Sequence, residues 1–322
     1  MERLYDKLKA YSESDFYAFH MPGHKRNKAL LGIELPYDLD ITEIDGFDDL
    51  HHADGILKEE QERAARVFGA EESHFLVNGS TAGILSAVMG CTHRGDKILA
   101  ARHCHKSIYH AIYMNGLVPR YVYPEFDISM HMNGEISKED VAKALAAEPD
   151  IKAVVIVSPN YDGVVSDVKG IAEVAHSYRI PLIVDEAHGP HFGFHPAFPG
   201  RANDLGADVV INSLHKTLPS LTQTAILHIN GKIVNRRRIK KYLDMLQSSS
   251  PSYIFMASLD ACVDFVDGKC ENAFELYVER LQKFREELKP LQHLQILRTE
   301  HYDISKVVIS TANANITSPE LA

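Results

Sequence analysis

The sequence predicts an α/β fold with a mainly parallel, seven-stranded-type sheet and helices on both faces. Three observations predict it. Short apolar runs recur along the chain, some with no polar residue at all, as strands buried on both faces require. Helical patterns stand between these runs, which is how parallel strands are connected. The chain of 322 residues, 45% of them hydrophobic, is long enough to bury roughly 75% of its unfolded surface.

Residues 1–55 read as an irregular N-terminal arm rich in Asp, Gly, His and Pro. The alternation begins with a helix from Ile56 to Phe68, ended by Gly69, and a strand from His74 to Val77. A helix from Thr81 to Cys91, a strand from Lys97 to Ala100 and a helix from Lys106 to Met114 follow. Next come a strand from Arg120 to Tyr123, a helix from Lys138 to Ala147 and a wholly apolar strand from Ala153 to Val157. A helix from Gly170 to Tyr178 precedes strands at Ile180–Val184, Asp208–Asn212 and Thr224–Ile229. Beyond these the pattern is helical: Lys232 to Gln247, Tyr253 to Val266 and Ala273 to Leu288. The large domain is therefore expected over 56–290. Strand-like segments at Leu294–Leu297 and Lys306–Ser310 read as the start of a small α/β unit over 291–322 that is too short to bury its own faces.

Bulk properties narrow the function. A net charge of −10 argues against a nucleic-acid partner. Four cysteines without a CxxC pair suit a reduced, cytoplasmic protein. No apolar run approaches about eighteen residues, so no membrane span is expected, and the first residues lack the apolar region of a signal peptide. The basic run Arg236-Arg237-Arg238 with Lys240-Lys241 reads as a solvated helix face, with an anion or subunit contact as the alternative.

Chemistry concentrates where strands end. Ligands of such sheets sit at the carboxyl ends of the strands. One apolar run ends in Asp185-Glu186-Ala187-His188, and a later one leads into Ser213-Leu214-His215-Lys216-Thr217. A partly desolvated lysine can lose its proton and attack a carbonyl. An aspartate and a lysine so placed are the pyridinium partner and imine anchor that pyridoxal phosphate (PLP) chemistry requires. Asn78-Gly79-Ser80-Thr81-Ala82-Gly83 stands between a strand and a helix. It reads either as an N-cap with a turn glycine or as a phosphate cradle at a helix N-terminus, and without a P-loop lysine it does not suit a nucleoside triphosphate. His103-Cys104-His105 and His188-Gly189-Pro190-His191 have metal-like spacing, but no carboxylate or cysteine pattern completes either set, and no metal is expected. Ser158-Pro159-Asn160-Tyr161-Asp162-Gly163 is a polar turn at another strand end.

Six ordered motifs then carry a resemblance. His20-Met21-Pro22-Gly23-His24-Lys25, Asp40 through His51, Asn78-Gly79-Ser80-Thr81, His105-Lys106-Ser107, Asp185-Glu186-Ala187-His188-Gly189 and Ser213-Leu214-His215-Lys216-Thr217 stand in the order seen in the bacterial Orn/Lys/Arg decarboxylases. Over residues 1–290 the chain resembles the short members of that family, which are PLP enzymes of the aspartate-aminotransferase fold, type I. The resemblance implies decarboxylation of arginine, lysine or ornithine to the amine and carbon dioxide. It implies that Lys216 anchors PLP, that Asp185 pairs with the pyridinium nitrogen, and that Ala187 and His105 cover the two ring faces. Gly79, Ser80, Thr81, Ser213 and His215 would hold the phosphate, with Ser158 and His188 near the cofactor. It also implies a homodimer or higher homo-oligomer with active sites at the interface, where Ser248-Ser249-Ser250-Pro251-Ser252 would serve the neighbour's phosphate. Two departures stand out. Family members continue into a C-terminal domain of which only opening strands are seen here, which implies a fragment or impaired activity. Asn160 occupies a position where a small hydroxyl residue is expected. The rival readings are another fold-type-I reaction, aminotransfer or elimination, and a non-catalytic relative. Glu43, Asp45, Asp48 and Asp49 are candidates to meet a basic side chain, or else form a solvated acidic loop.

Overall fold

The computed structural model describes residues 2–29, 31–128, 131–296 and 301–321. The elements in chain order are α1 Leu4–Ser12, α2 Ile56–Val67, β1 Glu72–Leu76, α3 Gly79–Cys91, β2 Lys97–Ala101, α4 Lys106–Met114 and β3 Val118–Val122. A short hairpin follows, β4 Phe126–Asp127 with β5 Met132–Asn133, then α5 Lys138–Ala147, β6 Ile151–Val157, α6 Val168–Ser177 and β7 Leu182–Asp185. The rest is β8 Val209–Asn212, α7 Leu214–Thr217, β9 Ala225–Ile229, α8 Arg236–Leu246, α9 Tyr253–Val266, α10 Glu271–Leu288, β10 Gln295–Ile296, β11 Ile309–Ser310 and α11 Ser318–Leu321.

Seven strands form one sheet in the order β1-β9-β8-β7-β6-β2-β3. Only β9 runs against its neighbours, pairing antiparallel with β1 and β8, while the remaining pairs are parallel. The fold class is the one the sequence predicts. Side chains alternate between two cores, as a strand period of two requires. Leu76 joins a core shared with α3, α4, α5 and α6. Its neighbours Phe75 and Val77 join the other, built with α1, α2, α9 and α10.

Helix α3 lies close to both the sheet and α8 because it carries glycines at the contacts. A Cβ on Gly83 would stand 2.6 Å from Leu76 Cδ1, and one on Gly90 would stand 2.6 Å from Ile239 Cγ1 and 2.9 Å from Ile239 Cα. The second clash involves backbone, so a longer side chain must push α8 away. Gly90→Ala is expected to lower the unfolding free energy by about 1–3 kcal/mol in denaturant titration. An unchanged midpoint would mean that α3 and α8 do not meet this closely.

Several expectations need correction. The arm is not irregular throughout: α1 buries Leu4 and Leu8, one turn apart, a single pair that is too little periodicity to register. The basic run is not a freely solvated face. Arg236 pairs with Glu71 and Glu72, Arg238 donates to Thr92 O, and Lys240 donates to His51 O and Asp244, so α8 is strapped to β1 and to the α3–β2 loop. Asp48 is not available to a ligand. It adopts φ 66°, and its carboxylate accepts from the backbone N–H groups of Asp49, Asp54, Gly55 and Leu57, which closes the start of α2. Asp49 is similarly taken by His51 N and His52.

At the far end, Leu297 lies outside the described residues, and of Lys306–Ser310 only Ile309–Ser310 is strand, paired with Gln295–Ile296. The residues before it are fastened to the β6–α6 loop instead. Val165 N donates to His301 O at 3.1 Å and Asp303 N to Gly163 O at 2.9 Å.

Candidate active site

The sheet brings five strand ends to one edge. Asn78 follows β1, His103 follows β2, Ser158 follows β6, Asp185 ends β7 and Ser213 follows β8. Asp185 sits in the middle of this edge, in register with Val157 on one side and Ile211 on the other.

Asp185 is 2% exposed, and its Oδ1 accepts from Ala187 N at 3.2 Å. Burial raises its carboxyl from 3.8 to about 6, opposed by that backbone hydrogen bond and by the charge of Lys216. A buried carboxylate this poorly compensated is built for a cation. Glu186, next in sequence, does different work. It accepts from Ala202 N at 2.8 Å and from Asn212 Nδ2 at 3.0 Å, tying β7 to β8 beneath the cleft.

Lys216 stands on the one-turn helix α7 and is open to the cleft. Protein packed around its stem still lowers its pKa, chiefly through burial and further through Lys306, with Asp185 opposing. Its Nζ lies 3.0 Å from His188 Nε2. Burial first, then the charges of Lys216 and Lys306, push His188 down to about 3, so its ring is neutral. His105 is the N-cap of α4. Its Nδ1 accepts from Ser107 N and lies 2.8 Å from Ser107 Oγ. Burial and the Lys216 charge lower it too.

The run at Gly79 turns from β1 into α3. Gly79 takes φ +72°, a conformation that glycine reaches without steric cost. Of the two readings of this run, the N-cap fails: α3 has no side-chain cap, because Asn78 Oδ1 accepts instead from Ser248 N at 3.0 Å. The first turn of a thirteen-residue helix thus keeps uncapped N–H groups and partial positive charge, with Ser80 and Thr81 at its start. The same bond lays the Ser248–Ser252 run against its own chain's Asn78 loop. Ser213 is fully buried, and its Oγ has no hydrogen-bond partner among the described residues. His215 Nδ1 donates to Thr224 O at 2.9 Å. These features fit a planar group with an anionic end, a ring cation and a carbonyl: the helix terminus and the orphaned Ser213 hydroxyl for the anion, Asp185 for the cation and Lys216 for the carbonyl.

Ser158 and Asn160 are loop-builders. Ser158 is 2% exposed, and its Oγ accepts from Ser166 N at 3.1 Å. Asn160 Oδ1 accepts from Asp162 N and Val164 N, and its Nδ2 donates to Asn133 O. The amide thereby locks the turn to the β4–β5 hairpin, three bonds that a small hydroxyl could not make. Ala187 is buried beside Asp185.

Sequence reasoning missed one part of this site. Lys306 Nζ lies 3.2 Å from His188 Nδ1. Asp303 Oδ1 accepts from His191 Nε2 at 3.2 Å, and His191 Nδ1 lies 3.0 Å from Thr217 Oγ1. A cavity of about 590 Å³, lined by His191, Lys216, Thr217, Phe274, Tyr277 and Lys306 among others, opens beside the lysine. The signal was the charged pair Asp303 and Lys306 in a stretch otherwise read only as strand.

Comparison with known proteins gives the family. Residues 3–312 match the family Orn/Lys/Arg decarboxylase, major domain. An uncharacterized protein, YaaO, of Bacillus subtilis is 42% identical over 82% of this chain and 56% of its own length. An arginine decarboxylase of the same organism is 34% identical over 99% of this chain and 68% of its own. The solved structure of the constitutive lysine decarboxylase of Escherichia coli superposes with a TM-score of 0.80 at 24% identity, over 92% of this chain and 46% of that one. The chain thus spans between about half and two thirds of these three proteins, with the sheet of a fold-type-I PLP enzyme. It belongs to the Orn/Lys/Arg decarboxylase family.

Proposed function

We propose that the protein is a PLP-dependent decarboxylase of a basic amino acid, arginine, lysine or ornithine, yielding the amine and carbon dioxide. One observation carries the reading: a buried carboxylate, Asp185, and an open amine, Lys216, stand at the carboxyl ends of adjacent strands in a fold-type-I sheet. Lys216 would anchor the cofactor, and Asp185 would face its ring nitrogen. Gly79, Ser80, Thr81, Ser213 and His215 would receive the phosphate, and Ala187 and His105 would cover the ring. When bound, PLP supplies an electron-accepting ring for the pair left as the bond to the carboxylate breaks.

The chain's own residues do the rest. A positive ring nitrogen would draw Asp185 back to its ionised form, so the pair holds both charges where they are needed. Lys216, reachable from the cleft, can accept or return a proton at the substrate's Cα. His188, kept neutral, can hydrogen-bond to that amine without adding charge. With 1–55 read as an arm, 56–290 as the large domain and 291–322 as a separate segment, that last segment would add Lys306 and Asp303 to the site.

The active form is proposed to be a homodimer. Phe16, Tyr17, Phe19 and Met21 in the arm are 68%, 70%, 88% and 70% exposed, an apolar cluster that a second copy would cover. A cytoplasmic location suits four free cysteines, and no helix among the described residues is long and apolar enough to cross a membrane. The test is incubation of the protein with PLP and each of the three amino acids, followed by measurement of amine and carbon dioxide. Turnover of at least one is expected. PLP bound without any turnover rejects the reading, and keto-acid products would replace it with aminotransfer.

A further inference from the structure

The turn 301–306 reaches the helix that carries Lys216 by two routes. Asp303 is fully buried and is held by Ser305 N at 2.9 Å and Ser305 Oγ at 2.7 Å. Burial pushes its carboxyl up, but hydrogen bonds from His191 and Ser305 outweigh that and keep it ionised. His191 Nε2–H therefore donates to Asp303, while its Nδ1 lies 3.0 Å from the Thr217 hydroxyl. This route fixes the residue beside Lys216.

The second route bears on Lys216 itself. Both nitrogens of His188 face lysine amines, Nδ1 at 3.2 Å from Lys306 and Nε2 at 3.0 Å from Lys216. An ammonium can only donate, and a neutral imidazole offers one lone pair and one N–H. One of the two amines must then be an acceptor. Lys306 has the surroundings of a cation. Its Nζ lies 5.9 Å from the centre of the Tyr161 ring, and its charge acts on the Asp162 carboxyl. Lys306 accordingly donates to Nδ1, the imidazole proton sits on Nε2, and that proton points at Lys216.

We propose that Lys306 is a positioning residue for Lys216: acting through the tautomer of His188, it biases the Lys216 amine toward the uncharged, hydrogen-bond-accepting form that can attack a carbonyl. The proposal deepens the reading of the site given above and rests on it for its purpose, though not for its geometry. The other groups acting on this pair are His105 at the start of α4, Asp185 on β7 and Asp303 in the same turn. Asp185 favours a charged Lys216. Lys306 opposes it, both as a nearby cation and by denying Lys216 the imidazole lone pair.

Competitive acetylation across pH, read by mass spectrometry of the Lys216 peptide, measures this without cofactor or turnover. In the unaltered protein Lys216 is expected to label with a midpoint below that of ordinary lysines. In Lys306→Met the midpoint is expected to rise by about one pH unit or more, and in Lys306→Arg, which keeps a cationic donor, it should stay near the original value. The turn itself survives either change, because Arg285 and Tyr302 bind the Lys306 carbonyl, not its amine. An unmoved midpoint in Lys306→Met overturns the proposal even if the enzyme decarboxylates. A shifted midpoint in a protein that decarboxylates nothing upholds it and rejects the wider reading.

Discussion

Lys216→Ala is expected to abolish turnover while leaving the fold intact. The amine combines access to the cleft with a lowered pKa, chiefly through burial. Deleting one member of a unit that acts covalently costs on the order of 10⁴- to 10⁶-fold in kcat. Stability should change little, because the side chain is open to the cleft and its hydrogen bond with His188 is not a buried salt bridge. Unfolding free energy within about 0.5 kcal/mol of the original is expected. Borohydride treatment with PLP should label the Lys216 peptide in the original protein and no peptide in the variant. Exogenous methylamine should restore part of the activity, since it supplies the missing amine without rebuilding the side chain. A variant that retains more than about a hundredth of the original kcat, or a label on another lysine, would place the anchor elsewhere.

Much of this could be read from residue order alone, and the division follows the range of the interactions. All seven sheet strands were legible because each holds a local run of strand-forming residues, and no boundary was off by more than two residues, as at Arg120–Tyr123, observed as Val118–Val122. That Asp185 and Lys216 stand at strand ends was legible because a polar group at the end of a buried run is a local signal. The start of α3 was half legible: Gly79, Ser80 and Thr81 are adjacent, but that Asn78 does not cap depends on Ser248, 170 positions away. The unseen features are those whose partners lie far along the chain. Lys306 meets His188 across 118 positions and Asp303 meets His191 across 112. Arg236 meets Glu72 across 164, so a run of like charge looked solvated. Helix α1 was missed for the opposite reason: its local pattern holds one buried pair, and its position depends on Arg3 meeting Asp264 of α9.

Asp185→Asn is expected to trade activity for stability, and the pH dependence tells why. An ordinary aspartate in the unfolded chain titrates near 3.8, whereas burial holds the folded carboxyl near 6. Between those values the folded state binds more protons than the unfolded one. The contribution of this group is therefore most favourable below about pH 4 and is lost as pH rises through about 6. Above that, the cofactor-free protein holds a buried, weakly compensated carboxylate at a cost on the order of 2–3 kcal/mol. Asparagine carries no charge, so the cofactor-free variant should be more stable near pH 7.5 by on the order of 1–2 kcal/mol, with the gain vanishing toward pH 4. In the loaded enzyme the sign reverses. A cationic ring nitrogen loses its counter-charge, and kcat should fall by about 10²- to 10³-fold, as for removal of one preorganised electrostatic partner. Denaturant titration of the cofactor-free forms from pH 4 to 8, set beside kcat and PLP affinity, separates the two effects. A variant equally active, or less stable at pH 7.5 than at pH 4 relative to the original, would mean that this carboxylate does not serve a cation at the head of β7.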